Sequence, residues 1–101
     1  MLEENQICSF KLISGEEIIA KVYKEDELSY FLQDSRVLFM ASGGELKLAP
    51  VMFSHDASKL ITIFKTAVAA FSVSPKEDFM EAYKQAVSPI VMPANRKIVM
   101  G

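Results

Sequence analysis

The sequence predicts a small, mostly β domain that opens on a tight hairpin and closes with a single capped helix. Three observations predict it. Apolar and polar residues alternate on both sides of Ser14-Gly15. Ser42-Gly43-Gly44-Glu45 repeats the hairpin signal. Ser74-Pro75-Lys76-Glu77 precedes an apolar stripe at helical spacing.

Taken in order, residues 7–13 alternate well enough for a first strand. Ser14-Gly15 supplies a residue tolerant of positive φ, which a two-residue turn requires. Residues 16–24 resume with Ile18, Ala20 and Val22 on one face and Glu17, Ile19, Lys21 and Tyr23 on the other. Ile19 and Tyr23 are apolar for an outer face, so that face is expected to be covered too. Glu25-Asp26-Glu27 reads as a solvated turn. A strand from about Leu28 to Met40 follows, bent near Asp34-Ser35.

After the second hairpin, Leu46, Leu48 and Val51-Met52-Phe53 form another strand, with Pro50 marking an edge or bulge. Residues 55–59 make a further turn. Residues 60–64 and 67–73 are two β segments flanking Lys65-Thr66. The whole is an antiparallel meander of five or six strands. Ser74 is placed to cap the helix, Pro75 to occupy its first position and Glu77 to complete the box. Phe79, Met80, Tyr83, Ala86 and Val87 form its buried stripe, and it stops before Ser88-Pro89. The tail, with Ile90-Val91-Met92 and Ile98-Val99-Met100, is apolar enough to dock on the sheet or on a neighbour.

One hundred and one residues, half of them hydrophobic and 24% charged, make one globular domain. Residues 1–74 form the β domain, and residues 75–101 are a helix and apolar tail packed on it. The net charge of −2 argues against a generic nucleic-acid binder, since such affinity comes from neutralised phosphates. The N-terminus is acidic and lacks the pattern of a signal peptide. No apolar run approaches the roughly 20 residues that span a bilayer. No membrane association is expected, and the expected compartment is the cytoplasm, or the host cytoplasm for a viral protein.

Catalysis has little to build on. His55 is the only histidine and lies in a polar turn with no nucleophile-elbow sequence near it. Cys8, the only cysteine, sits on an apolar strand, where a thiol acts as a small core residue. Three consecutive carboxylates at 25–27 do not converge on one cation. Gly43-Gly44 lacks the lysine and helix of a phosphate loop. The expectation is a non-enzyme with no cofactor and no metal.

Two motifs carry a resemblance. The run Leu12-Ile13-Ser14-Gly15-Glu16-Glu17-Ile18-Ile19-Ala20-Lys21-Val22 resembles the opening of an Sm-like domain, with Ala20 where the family usually has glycine. Downstream, Ile63-Phe64-Lys65-Thr66-Ala67-Val68-Ala69 is similar to the Tyr-Lys-His-Ala-Ile stretch of the bacterial Hfq group, with Phe64 for tyrosine and Thr66 for histidine. The resemblance spans roughly residues 8–73. The family usually begins with a helix, whereas here the strong helix follows the last strand. The lengthened segment 49–53 and the Ala-Tyr helix look similar to small Sm-like proteins of marine tailed phages.

The resemblance implies a small, strongly bent, five-stranded antiparallel barrel with a C-terminal helix. It further implies a homo-oligomeric ring of about five to seven subunits that binds single-stranded RNA at loops around the pore. Lys65 takes the basic position of that site, next to Thr66. An ungapped alignment from Gly15 puts Asp26 at the family's loop aspartate, Leu28 at the stacking position and Tyr30 at the base-reading asparagine. Deleting one loop residue puts Ser29 at the asparagine instead, and neither register keeps both the stacking residue and the amide. Lys65 also reads as a solvated turn lysine, and Tyr30 as a strand aromatic of the core or an interface. Lys59, Arg36, Arg96 and Lys97 are candidates for a second basic patch. The alternative is a ring that binds a protein partner through the helix and tail, without RNA. Edge pairing between subunits is expected at 67–73, which is apolar on both faces and carries no charge.

Overall fold

The structure, a computed structural model, describes residues 6–56 and 59–88. It is mainly β: an antiparallel sheet of six strands and one C-terminal helix. The strands are β1 (Gln6–Leu12), β2 (Glu17–Glu25), β3 (Ser29–Met40), β4 (Leu46–Pro50), β5 (Ile61–Phe64) and β6 (Val68–Ser72). A 3-10 turn, Lys65–Ala67, joins β5 to β6, and helix α1 covers Glu77–Val87.

The order is β4-β3-β2-β1-β6, with β5 pairing the first half of β3. The topology is therefore more than a meander. β3 is long enough to carry β4 opposite residues 36–40 and β5 opposite residues 29–32, and β6 returns to lie beside β1. No ladder joins β6 to β5 among the described residues.

Both hairpins form where glycine allows them. Gly15 has φ of 105°, and the turn is closed by Leu12 N–H donating to the Glu16 carbonyl at 2.8 Å. Gly43 and Gly44, at φ 89° and 80°, close the β3–β4 turn, where Ala41 N–H donates to the Glu45 carbonyl.

The bend expected near Asp34-Ser35 is a β-bulge. Ile19 pairs with Arg36 and Lys21 with Gln33, so Ala20 alone opposes Asp34 and Ser35. Asp34 takes the left-handed conformation, φ 55°, which aspartate tolerates better than most residues, and Lys21 reaches its carboxylate at 3.6 Å. Ala20, fully buried, is thus the small residue where the strands bend. A second shift makes Tyr23 an extra residue between Val22↔Leu32 and Lys24↔Phe31.

The core gathers Cys8, Phe10, Ile18, Ala20, Val22, Leu32 and Ile63. Phe10, Tyr30 and Phe71 form an aromatic cluster with centroids 5.1–5.4 Å apart. This cluster spans from β3 through β1 to β6, the side on which no ladder closes the sheet.

Ile19 is also fully buried, on the opposite face, as its apolar character predicted; Tyr23 stays exposed. α1 supplies cover for that face. Tyr83 is completely buried and its hydroxyl lies 3.4 Å from the Gln33 carbonyl. Phe79 lines a cleft of about 330 Å³ with Ile19 and Leu38.

Three expectations need correction. The strand expected from Leu46 to Phe53 ends at Pro50, which has no N–H to extend a ladder; Met52 and Phe53 are exposed, Phe53 at 99%. Ser74 does not cap α1: the N-cap is Lys76, and no side chain bonds the first turn. Glu77 and Asp78 there complement the helix dipole instead. Ala86, placed in the buried stripe, is exposed, while Phe79, Met80, Tyr83 and Val87 are at least partly covered. The helix stops at Val87, with Ser88 extended ahead of Pro89. The expected docking of the apolar tail, with Arg96 and Lys97, lies outside the described residues.

Candidate nucleic-acid interface

The β2–β3 turn and the β5–β6 turn lie side by side because β3 pairs with both β2 and β5. Their register sets Ser29 against Phe64 and Tyr30 against Ile63. The Lys65 N–H then donates to the Leu28 carbonyl at 2.8 Å, stitching the two turns together.

Asp26 builds the first turn. Its Oδ1 accepts from the Leu28 and Ser29 N–H groups at 3.0 and 2.8 Å, and its own N–H donates to the Ser29 carbonyl. The carboxylate is therefore committed to backbone and shapes the loop.

Lys65 is held from two sides. Its Nζ donates to Glu25 Oε2 at 2.7 Å and stands 5.1 Å from the centre of the Tyr30 ring. Its pKa is raised above the ordinary lysine value, chiefly by the hydrogen bond to Glu25, with burial opposing and Tyr30 and Asp26 adding. Lysine here is neither a freely solvated cation nor an unpartnered one.

The sequence-derived residues are thus brought together, in unequal roles. Leu28 is 70% exposed at the loop tip, and Thr66 is exposed on the 3-10 turn. Ser29 is buried, which removes it as a reader of base edges. Tyr30 packs into the aromatic cluster against Phe10 and Phe71, the core role that its strand position favoured.

Two residues of the site were not singled out from sequence. Phe64, 62% exposed at the end of β5, is the exposed aromatic side chain of the paired turns. Glu25 was assigned to a solvated turn, but it closes β2, is half-buried and pairs with Lys65. Its pairing requires the β2–β3–β5 register, which no local signal in residues 25–27 carries.

The other candidates stand apart. Cys8 is buried, and burial first, with Glu25 second, pushes its thiol up to about 11. His55 Nε2 lies 3.2 Å from the Lys59 carbonyl, within its own turn. Arg36 is on β3, opposite Pro50, and Lys59 is in the turn after Asp56. Among the described residues, no three His, Cys, Asp or Glu side chains gather as a metal-binding group. Nor is any helix there long and apolar enough to cross a membrane.

The chain matches no protein-family model and no curated protein.

Proposed function

We propose that this chain is an Sm-like subunit that closes into a homo-oligomeric ring and binds single-stranded RNA at the paired turns 25–30 and 64–66. The observation that carries the reading is the junction itself. The exposed Phe64 and the adjoining Lys65 on one turn are tied to the exposed Leu28 on the other by the Lys65 N–H···Leu28 carbonyl bond. Base stacking on an aromatic is tolerant of sequence and contributes about 1–3 kcal/mol per base. Phe64, not Leu28, is the side chain suited to it.

Ring closure is supported by two of the three strands that pair on one side only among the described residues, β5 and β6, with β4 the third. β6 pairs only with β1 among the described residues, and its Phe71 and the following Val73 are partly exposed. Such an apolar, uncharged edge is a template for another strand. β5, ending at the exposed Phe64, is the corresponding open flank on the other side. Pairing one subunit's β6 with the next subunit's β5 is a heterologous contact, which closes when the rotation allows.

A second reading, a ring that binds protein and not RNA, is favoured by one specific observation. Glu25, Asp26 and Glu27 outnumber Lys24 and Lys65 at the turns, and Lys65 is already paired. Fluorescence anisotropy with short U-rich and A-rich RNAs at low salt separates the two. The RNA reading expects binding that weakens in Lys65→Ala. No binding at low salt, from either protein, removes the RNA reading and leaves the protein scaffold.

A further inference from the structure

At the paired turns the only described lysines are already engaged: Lys24 stands 5.4 Å from the Phe31 ring, and Lys65 lies between Glu25 and Tyr30. Glu25 is the last residue of β2, directly opposite Tyr30 in the ladder. Its carboxylate oxygen is 2.7 Å from Lys65 Nζ, the distance at which a phosphate oxygen would sit. A phosphate approaching Lys65 meets the Glu25 carboxylate on the same ammonium, and the repulsion between the two anions weakens its hold even though the ammonium has donors to spare. Asp26 adds a second negative charge near the lysine, but its Oδ1 is held by the backbone of Leu28 and Ser29, and the direct hydrogen bond to Nζ comes from Glu25.

We propose, resting on the RNA reading above, that Glu25 is a latch on this site. Its carboxylate holds Lys65 at the distance a phosphate oxygen would take, so the nucleic acid gains the full strength of that contact by displacing it. The resting site then presents a surface for stacked bases, Phe64 with Leu28, and withholds its cation. Ligand choice follows from this. An RNA whose base stacks on Phe64 while its phosphate competes for Lys65 is retained, and a polyanion without bases is rejected. The alternative role for Glu25 is a structural staple that ties the end of β2 to the 3-10 turn.

Glu25→Gln separates latch from staple. The variant keeps the side-chain shape and removes the competing charge. Titration with a fluorescein-labelled U-rich RNA, repeated across salt concentrations, reads both affinity and the number of phosphates engaged. A latch predicts affinity about tenfold higher at low salt, and a salt slope steeper by about 0.7 for each phosphate gained. Glu25→Gln combined with Lys65→Ala then shows no gain. Glu25→Asp, which withdraws the carboxylate by one methylene, gives an intermediate gain and serves should the glutamine variant lose its fold. Wild-type binding with unchanged or weaker affinity and an unchanged slope in the variants overturns the latch alone. Absence of RNA binding by wild type and variants alike, even at low salt, overturns the RNA reading and the latch with it.

Discussion

The Tyr30 ring stacks on that of Phe71 at 5.4 Å, inclined by 18°, across the flank where no ladder joins the sheet. Side-chain packing closes what backbone hydrogen bonding leaves open. Phe71→Ala is therefore expected to lower stability by about 2 kcal/mol, less than a fully buried phenylalanine because Phe71 is 37% exposed. Urea denaturation at fixed protein concentration checks this. A loss below about 0.5 kcal/mol would show that the cluster does not hold the flank.

Tyr83 joins α1 to the sheet by burial more than by its hydroxyl. It is wholly buried, but the hydroxyl is 3.4 Å from the Gln33 carbonyl, a long contact. Tyr83→Phe is expected to cost no more than about 1 kcal/mol, and Tyr83→Ala about 3–5 kcal/mol. Equal costs for the two substitutions, again by urea denaturation, would assign the joint to the hydrogen bond.

Cys8 makes stability depend on alkaline pH. Its folded pKa is raised from 9.0 to about 11, first by burial and then by the Glu25 charge. The unfolded chain therefore releases this proton first as pH rises. The contribution is complete below about pH 9 and is lost as pH climbs towards 11, a total of about 2–3 kcal/mol. The wild-type stability minus that of Cys8→Ala is expected to be flat from pH 7 to 9 and to fall beyond. Tyr83, whose pKa burial also raises, adds an alkaline loss common to both proteins. A difference curve flat to pH 11 contradicts the assignment.

Phe64→Ala tests stacking at the rim. The side chain is mostly exposed, so the fold is expected to tolerate its removal, with a stability change within about 0.5 kcal/mol. RNA affinity is expected to fall by about 1–3 kcal/mol, about 5- to 150-fold. Phe64→Tyr restores it, and Leu28→Ala changes it less. An unaltered affinity in Phe64→Ala removes this residue from the site.

What the sequence made legible follows the range of the interactions. Ser14-Gly15 and Ser42-Gly43-Gly44-Glu45 are local signals, because a positive φ is needed within the turn itself. Ile18, Ala20 and Val22 announced the core by period-two spacing, and the unusual apolarity of Ile19 announced a second covered face. The Asp34 bulge was readable as a break in that alternation. Ser74 misled because a capping box is only a pattern: the chain continues through Pro75 before turning at Lys76. Val51–Phe53 misled because apolar residues after Pro50 look like strand, whereas the proline ends the ladder. The site was half-legible. Lys65 and the 25–30 turn were found through two motifs, but Glu25 is 40 positions from Lys65 and meets it only through β3. Phe64 became a candidate for the proposed site only once its exposure was known.

Assembly is the claim on which the rest depends, and mass under native conditions tests it most directly. The open edges of β6 and β5 predict a closed oligomer that is stable on dilution, and the Sm-like reading sets its size at about five to seven chains. A strict monomer across the whole concentration range contradicts the ring, and the Sm-like reading would lose its main support.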